Sequence, residues 1–153
     1  MEKNLEALLA EHSFFRQMSP EYRALMAGCG KNVHFHAGEI IARTGDPSNH
    51  FFAIRQGHVS VELHGPERGP IVIQTLEAGD ILNWSWLFPP YRWMFDVRAD
   101  EEVSAISFDG ECLRGKCESD PAMGYDFMKR FALVFMERLE ATRLQRLNVY
   151  KDR

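Results

Sequence analysis

The sequence predicts a mainly β protein: an antiparallel β-roll or jelly roll with two short N-terminal helices and one long C-terminal helix. Three observations lead there. Residues 31–109 hold seven or eight short alternating or β-branched segments, separated at near-regular intervals by glycine turns. Ahead of them, apolar residues recur twice at helical spacing. Behind them, the chain from Asp120 to about Tyr150 carries a helical pattern with no proline after Pro121 and one early glycine, Gly124. The 153 residues suit one domain, with helices in 1–30, the roll in 31–109 and the long helix in 120–150.

Leu5, Leu8 and Leu9 place a short helix over Asn4–Glu11, and Phe14 and Phe15 are expected to pin it to the body. Ser19-Pro20 is a helix start, because Ser can accept from orphan N–H groups and Pro is preset for the first helical position. That helix stops near Gly28-Cys29-Gly30. From Lys31 the period drops to two, with Val33, Phe35 and Ala37 alternating with Asn32, His34 and His36. Gly38 turns into a strand over Glu39–Arg43, and Thr44–Ser48 is a loop. Phe51–Arg55 and Val59–Leu63 are expected to form a hairpin through Gln56-Gly57-His58. Gly65–Gly69 turns into a strand beginning at Ile71, and Val103–Phe108 is the last strand, ended by Asp109-Gly110. Asp120-Pro121 repeats the cap-plus-proline signal. On the long helix, Phe127, Phe131, Val134 and Phe135 share one face. Leu133, Met136, Leu144 and Leu147 lie roughly opposite. A second apolar face calls for a second helix. A homodimer through Leu133, Met136, Leu144 and Leu147 is therefore expected.

Composition excludes several classes. The 45% hydrophobic and 26% charged fractions are those of a globular domain. A net charge of −4 leaves no electrostatic footprint for nucleic acid. The polar N-terminus is no secretory signal, and no apolar run reaches membrane-spanning length. Cys29, Cys112 and Cys117 are an odd set without C-x-x-C, which predicts reduced thiols and a cytoplasmic location. No nucleophile elbow, P-loop or paired-carboxylate signature points to an enzyme.

The chain is organised around Gly79–Ala99, GDILNWSWLFPPYRWMFDVRA, which holds all three tryptophans. It reads as a strand over Asp80–Asn83, a short turn or helix over Trp84–Leu87, a proline-fixed bend over Phe88–Tyr91 and a return strand over Phe95–Ala99. Such rings either plug the roll as core or line a binding site.

This order resembles the cyclic nucleotide-binding domain, the sensor module of catabolite-activator-type regulators, kinase regulatory subunits and gated channels. Phe35-His36-Ala37-Gly38-Glu39-Ile40-Ile41, Gly45-Asp46, Phe52–Val61 and Leu76-Glu77-Ala78-Gly79-Asp80 carry the resemblance. In the family, a Gly-Glu opens a short helix whose N–H groups face the cyclic phosphate. The Glu accepts the ribose hydroxyl, and an Arg neutralises the phosphate. Without a gap, that Gly falls at Asn83, the Glu at Trp84 and the Arg at Trp93. Both charged contacts become indoles, and an indole N–H cannot neutralise a phosphate. Arg92, one residue away, points to the other face of an extended segment. Weak binding of cyclic AMP or cyclic GMP, or none, is expected.

The site expected is Asn83, Trp84, Ser85, Trp86, Leu87, Arg92, Trp93 and Met94, holding a small aromatic or apolar ligand whose binding repositions the long helix. The alternatives are a ligand-free adaptor or regulatory subunit of a partner enzyme, and retained cyclic nucleotide binding through Arg92 and backbone donors. No cofactor is expected. The family's full regulators carry a helix-turn-helix that is not seen here, so no direct DNA binding is expected. His34-x-His36 places two imidazoles on one strand face. Some relatives of the fold bind haem, but no third ligand is near in sequence, so no metal is expected either.

Overall fold

The computed structural model describes residues 4–65, 67 and 69–151, with side chains through residue 144. Two helices come first, α1 (Leu5–Glu11) and α2 (Pro20–Ala27). Their caps are those the residues dictate: the Asn4 side chain accepts from Ala7 N–H at 2.8 Å, and Ser19 Oγ accepts from Tyr22 N–H at 3.2 Å with Pro20 following. Eight strands follow among the described residues: β1 (Gly30–Phe35), β2 (Ile40–Ala42), β3 (His50–Gln56), β4 (His58–Gly65), β5 (Gly69–Glu77), β6 (Ile81–Leu82), β7 (Asp96–Ala99) and β8 (Val103–Asp109). They form two four-stranded antiparallel sheets in the orders β1-β8-β3-β6 and β2-β7-β4-β5. Two helices close the chain, α3 (Gly110–Ser119) and α4 (Pro121–Lys151). The coordinates divide into two compact units, Met1–Lys116 and Cys117–Arg153.

The sheet orders correct one expectation. β3 and β4 do not form a hairpin, because they lie in different sheets. At Gly57 the chain leaves one sheet for the other, with φ at +83°, and a Cβ there would overlap the Glu102 carbonyl oxygen. Glycine is required for both reasons. A turn rule reads the same Gly signal for a hairpin and for a crossing, since it sees only the local backbone.

Alternation along the strands packs the roll interior. Ile54, Leu82 and Val103 from one sheet meet Val59, Val61, Leu76, Val97 and Ala99 from the other, with Phe35, Phe52 and Phe95 packed against them. A second aromatic cluster joins Phe51 to Trp86 (centroids 5.1 Å) and to its cross-strand partner Phe108 (4.7 Å), and Phe15 to Phe108 (5.3 Å). Each pair adds about 1 kcal/mol beyond the area it buries. Phe14 and Phe15 thus pin the N-terminal segment as expected.

One helix is additional and one expectation is corrected. The chain after Asp109-Gly110 forms α3, which the sequence reading did not place, and the Asp109 carboxylate accepts from Cys112 N–H at 2.8 Å in its first turn. Gly110 fits because a Cβ would lie 3.0 Å from the Asn49 carbonyl oxygen. The thiols are not all reduced, for Cys29 and Cys112 form a disulfide with Cα atoms 5.7 Å apart, leaving Cys117 free. The pairing follows from register. Gly30 faces Phe108, and Asp109 N–H donates to the Cys29 carbonyl at 2.9 Å, so residues 83 apart in sequence become neighbours.

In the second unit, Phe127, Phe131 and Phe135 run along one face of α4 with centroids 4.9 and 5.9 Å apart, and Asp126 pairs with Arg130 at 3.1 Å. Leu133, Met136 and Leu144 are 52%, 54% and 61% exposed. The Leu147 side chain lies outside the described residues. Among the described residues, no helix is long and apolar enough to cross a membrane.

His12 makes the N-terminal packing pH-sensitive. Its Nδ1 accepts from Phe14 N–H at 3.2 Å, so the neutral ring donates Nε2–H to the Ile54 carbonyl at 3.1 Å. Burial pushes its pKa below the ordinary value, against smaller upward pulls from the Ile54 carbonyl and Asp80. Below about pH 6.5 the unfolded chain takes a proton that the folded chain resists, so stability falls as pH drops. Urea denaturation at pH 8 and pH 5.5 is expected to show a smaller pH effect in His12→Gln than in the parent chain. Equal slopes would remove His12 from the account.

Candidate functional site

The loop from β6 to β7 holds the residues singled out from the sequence. It opens at Asn83, a non-glycine residue at φ +83°. Asn tolerates this left-handed region better than most side chains. Its buried amide donates to Ser48 Oγ at 2.7 Å and to the His50 carbonyl at 2.8 Å, and Oδ1 accepts from Ser85 N–H at 3.0 Å. Asn83 therefore fixes the loop entrance, with every one of these atoms turned to protein. Leu87 N–H closes a turn onto the Trp84 carbonyl at 3.1 Å, and Trp84, Ser85 and Leu87 are half-buried.

The three indoles part company. Trp86 is fully buried in the Phe51–Phe108 cluster, and Arg114 donates to its carbonyl. Trp93 is 9% exposed and belongs to the roll interior, lying over Phe52 at 6.4 Å with the rings 27° apart. Its backbone is held by the Thr44–Ser48 loop: Gly45 N–H donates to Trp93 O at 2.8 Å and Trp93 N–H to Asp46 O at 2.9 Å. Alternation then turns Trp93 and Phe95 toward the interior cluster and leaves Arg92 and Met94 exposed, Met94 by 61%.

The cations near this loop have other partners. The Arg92 guanidinium donates to the Gly45 carbonyl at 3.3 Å. Arg114 lies 4.6 Å over the Tyr91 ring. Arg98 donates to the buried Glu62 carboxylate at 3.2 Å. Opposite Glu62 sits Asp96, also buried, which accepts from Thr44 N–H at 2.7 Å and Thr44 Oγ at 3.0 Å and pairs with His64 at 2.5 Å. The Thr44 N–H, then the Thr44 hydroxyl and His64, outweigh burial and hold the Asp96 carboxyl below the usual range. The arrangement offers an aromatic interior behind a polar rim. The sequence reading missed Ser48, Thr44 and Phe52 as the partners that hold Asn83, Asp96 and Trp93. A separation of 35 to 52 residues leaves no local signal for the first two pairs.

The family model of the cyclic nucleotide-binding domain matches residues 32–120, more than half of the chain. The chain belongs to the cyclic nucleotide-binding domain family. Relatives agree. Over 98 residues the chain is 29% identical to the cAMP-dependent protein kinase regulatory subunit of Emericella nidulans, covering 64% of this chain and 23% of that protein. It thus spans about a quarter of that relative's length. A candidate cyclic nucleotide-binding protein from Geobacter metallireducens superposes with a TM-score of 0.78 at 22% identity, covering 90% of this chain and 99% of the other. The regulatory domain of Toxoplasma gondii PKA, solved with cAMP, superposes with a TM-score of 0.64 at 19% identity over 72% of this chain and 42% of that one. Both show a shared fold. Asn83, at the position the resemblance gives to glycine, has a positive φ of the kind glycine adopts at no steric cost.

This role for Asn83 is testable. Asn83→Ala leaves the Ser48 and His50 acceptors short of a donor and strains the backbone, and is expected to cost about 2–4 kcal/mol in urea denaturation. Asn83→Gly relieves the strain and is expected to be about 1 kcal/mol less damaging.

Proposed function

We propose that this is a regulatory domain of the cyclic nucleotide-binding type that has exchanged ligand binding for aromatic packing, and that it works as an adaptor or regulatory subunit of a partner enzyme. The observation that carries this reading is Trp93. At the position where the resemblance places the phosphate-binding Arg, its indole is packed among the apolar side chains of the roll interior. Trp84 replaces the acid that would take the ribose hydroxyl. Among the described residues, the cations near this loop, Arg92, Arg98 and Arg114, already have protein partners, and burying a cyclic phosphate unpaired costs several kcal/mol.

A second reading is supported by a different observation. Trp84 is half-buried, and Phe88 and Met94 of the same loop are 55% and 61% exposed. A small aromatic or apolar ligand stacked on Trp84 would cover apolar surface the loop leaves to water. Asn83, Ser85, Trp86 and Leu87 would then shape the loop behind it, and Trp93 its inner wall.

Isothermal titration calorimetry with cyclic AMP and cyclic GMP is expected to give no saturable heat up to about 1 mM. Saturable micromolar binding would defeat both readings and favour retention through Arg92 and backbone donors. Trp84→Glu combined with Trp93→Arg restores both charges, and is expected to raise affinity by about 10- to 100-fold over the parent chain, the weight of one or two charge-assisted hydrogen bonds. A metabolite panel separates the two readings, since an adaptor gives no response and a sensor gives one that Trp84→Ala abolishes.

We also propose that the domain acts as a homodimer joined along Leu133, Met136 and Leu144 of α4, with Leu147 continuing the stripe in sequence. In sedimentation velocity, Leu133→Glu with Leu144→Glu is expected to give a monomer. An unchanged dimer would place the interface elsewhere.

A further inference from the structure

On the outer face of the first sheet, three metal-ligating side chains converge that the regulatory reading leaves unused. β1 and β8 pair antiparallel with His34 opposite Ser104 and Phe35 opposite Val103. Carried one step further, the same register sets His36 against Glu102 in the β7–β8 turn. Alternation then puts His34, His36 and Glu102 on one face while Phe35 and Val103 point to the interior cluster. The ligand atoms of the three residues lie within 4.8 Å of one another, and all three residues are exposed. His34 Nε2 is 2.5 Å and His36 Nδ1 3.2 Å from the same oxygen, Glu102 Oε2. The imidazole rings meet edge-on at 5.3 Å.

We propose that His34, His36 and Glu102 form a binding site for a divalent transition-metal ion of the zinc type. Two imidazoles and one carboxylate are the donor set such ions take, and they leave a coordination position open to water or a fourth ligand. Hard cations such as Mg2+ and Ca2+ prefer all-oxygen sets and do not compete well for two imidazoles. The geometry needs little adjustment. Ligand bonds of about 2.0–2.2 Å to a tetrahedral ion put donor atoms about 3.3 Å apart. The His36–Glu102 pair is already at 3.2 Å, and the His34–Glu102 pair must open by about 0.8 Å, which exposed rotamers allow. Orientation is partly set beforehand. Both imidazoles already converge on the same Glu102 oxygen, His34 Nε2 and His36 Nδ1 each within hydrogen-bond reach of it. A bound ion would tie β1 to the β7–β8 turn, whose Glu102 carbonyl packs against the Gly57 crossing. The site is separate from the indoles, because Trp93 lies inside the roll.

The test uses the tag-free full chain, titrated with Zn2+ against a chromophoric chelator, with Co2+ absorption as a second readout. One ion per chain is expected, with Kd below about 10 μM, together with visible Co2+ bands and a raised Tm in excess zinc. His34→Ala, His36→Ala and Glu102→Gln are each expected to weaken zinc at least about tenfold and to erase the Co2+ bands, while melting like the parent without metal, since the residues are exposed. Cys117→Ser is expected to bind as the parent does. Absence of saturable binding at 100 μM zinc, undiminished affinity in the three variants, or loss in Cys117→Ser or His58→Ala would each overturn the proposal. None of these results bears on the cyclic nucleotide titration.

Discussion

The register of β1 on β8 is the constraint from which most of this molecule follows. Residue numbers across that ladder sum to 138, from Gly30 opposite Phe108 to Phe35 opposite Val103. A slip of β1 by one residue would turn Phe35 out of the roll and bring His34 and His36 toward it. The same register brings Cys29 beside the start of α3, where it meets Cys112, while the separate β3–β8 register sets Phe108 against Phe51. The β1–β8 pairing thus decides both the covalent link and the outward His–Glu triad.

On the reading proposed above, the roll interior keeps the family scaffold and fills it with aromatic packing. A buried cation is stable only beside an anion, and the anion here would have been the ligand itself. An indole has no such dependence, since Trp93 packs on Phe52 by ring contact and needs no counter-charge. Polar residues around the roll are likewise satisfied by protein, as the Asn83, Asp96 and Glu62 networks show.

What the sequence disclosed and what it hid divide by range. Helix starts at Ser19-Pro20 and Asp120-Pro121 were legible because a cap acts on N–H groups three residues away. Strands were legible from their alternation, and the exposure of Arg92 beside a buried Trp93 from the same rule. Pairings were not. Gln56-Gly57-His58 carries a turn signal whether the chain folds back on its own sheet or crosses to the other. Cys29 and Cys112 have no telling spacing, and Glu102 joins His34 and His36 only through a register that no local pattern encodes. The tryptophans fall between these cases: their clustering in sequence marked the loop, but only tertiary packing sends Trp86 and Trp93 to different cores.

The apolar stripe of α4 has a period of its own. Leu133 and Leu144 are eleven residues apart, as are Met136 and Leu147. Eleven residues in three turns is about 3.67 per turn, slightly above the 3.6 of a straight helix, whereas heptads fall below it. Two helices following that seam would wind around each other with a weak right-handed supercoil, opposite in hand to a leucine zipper.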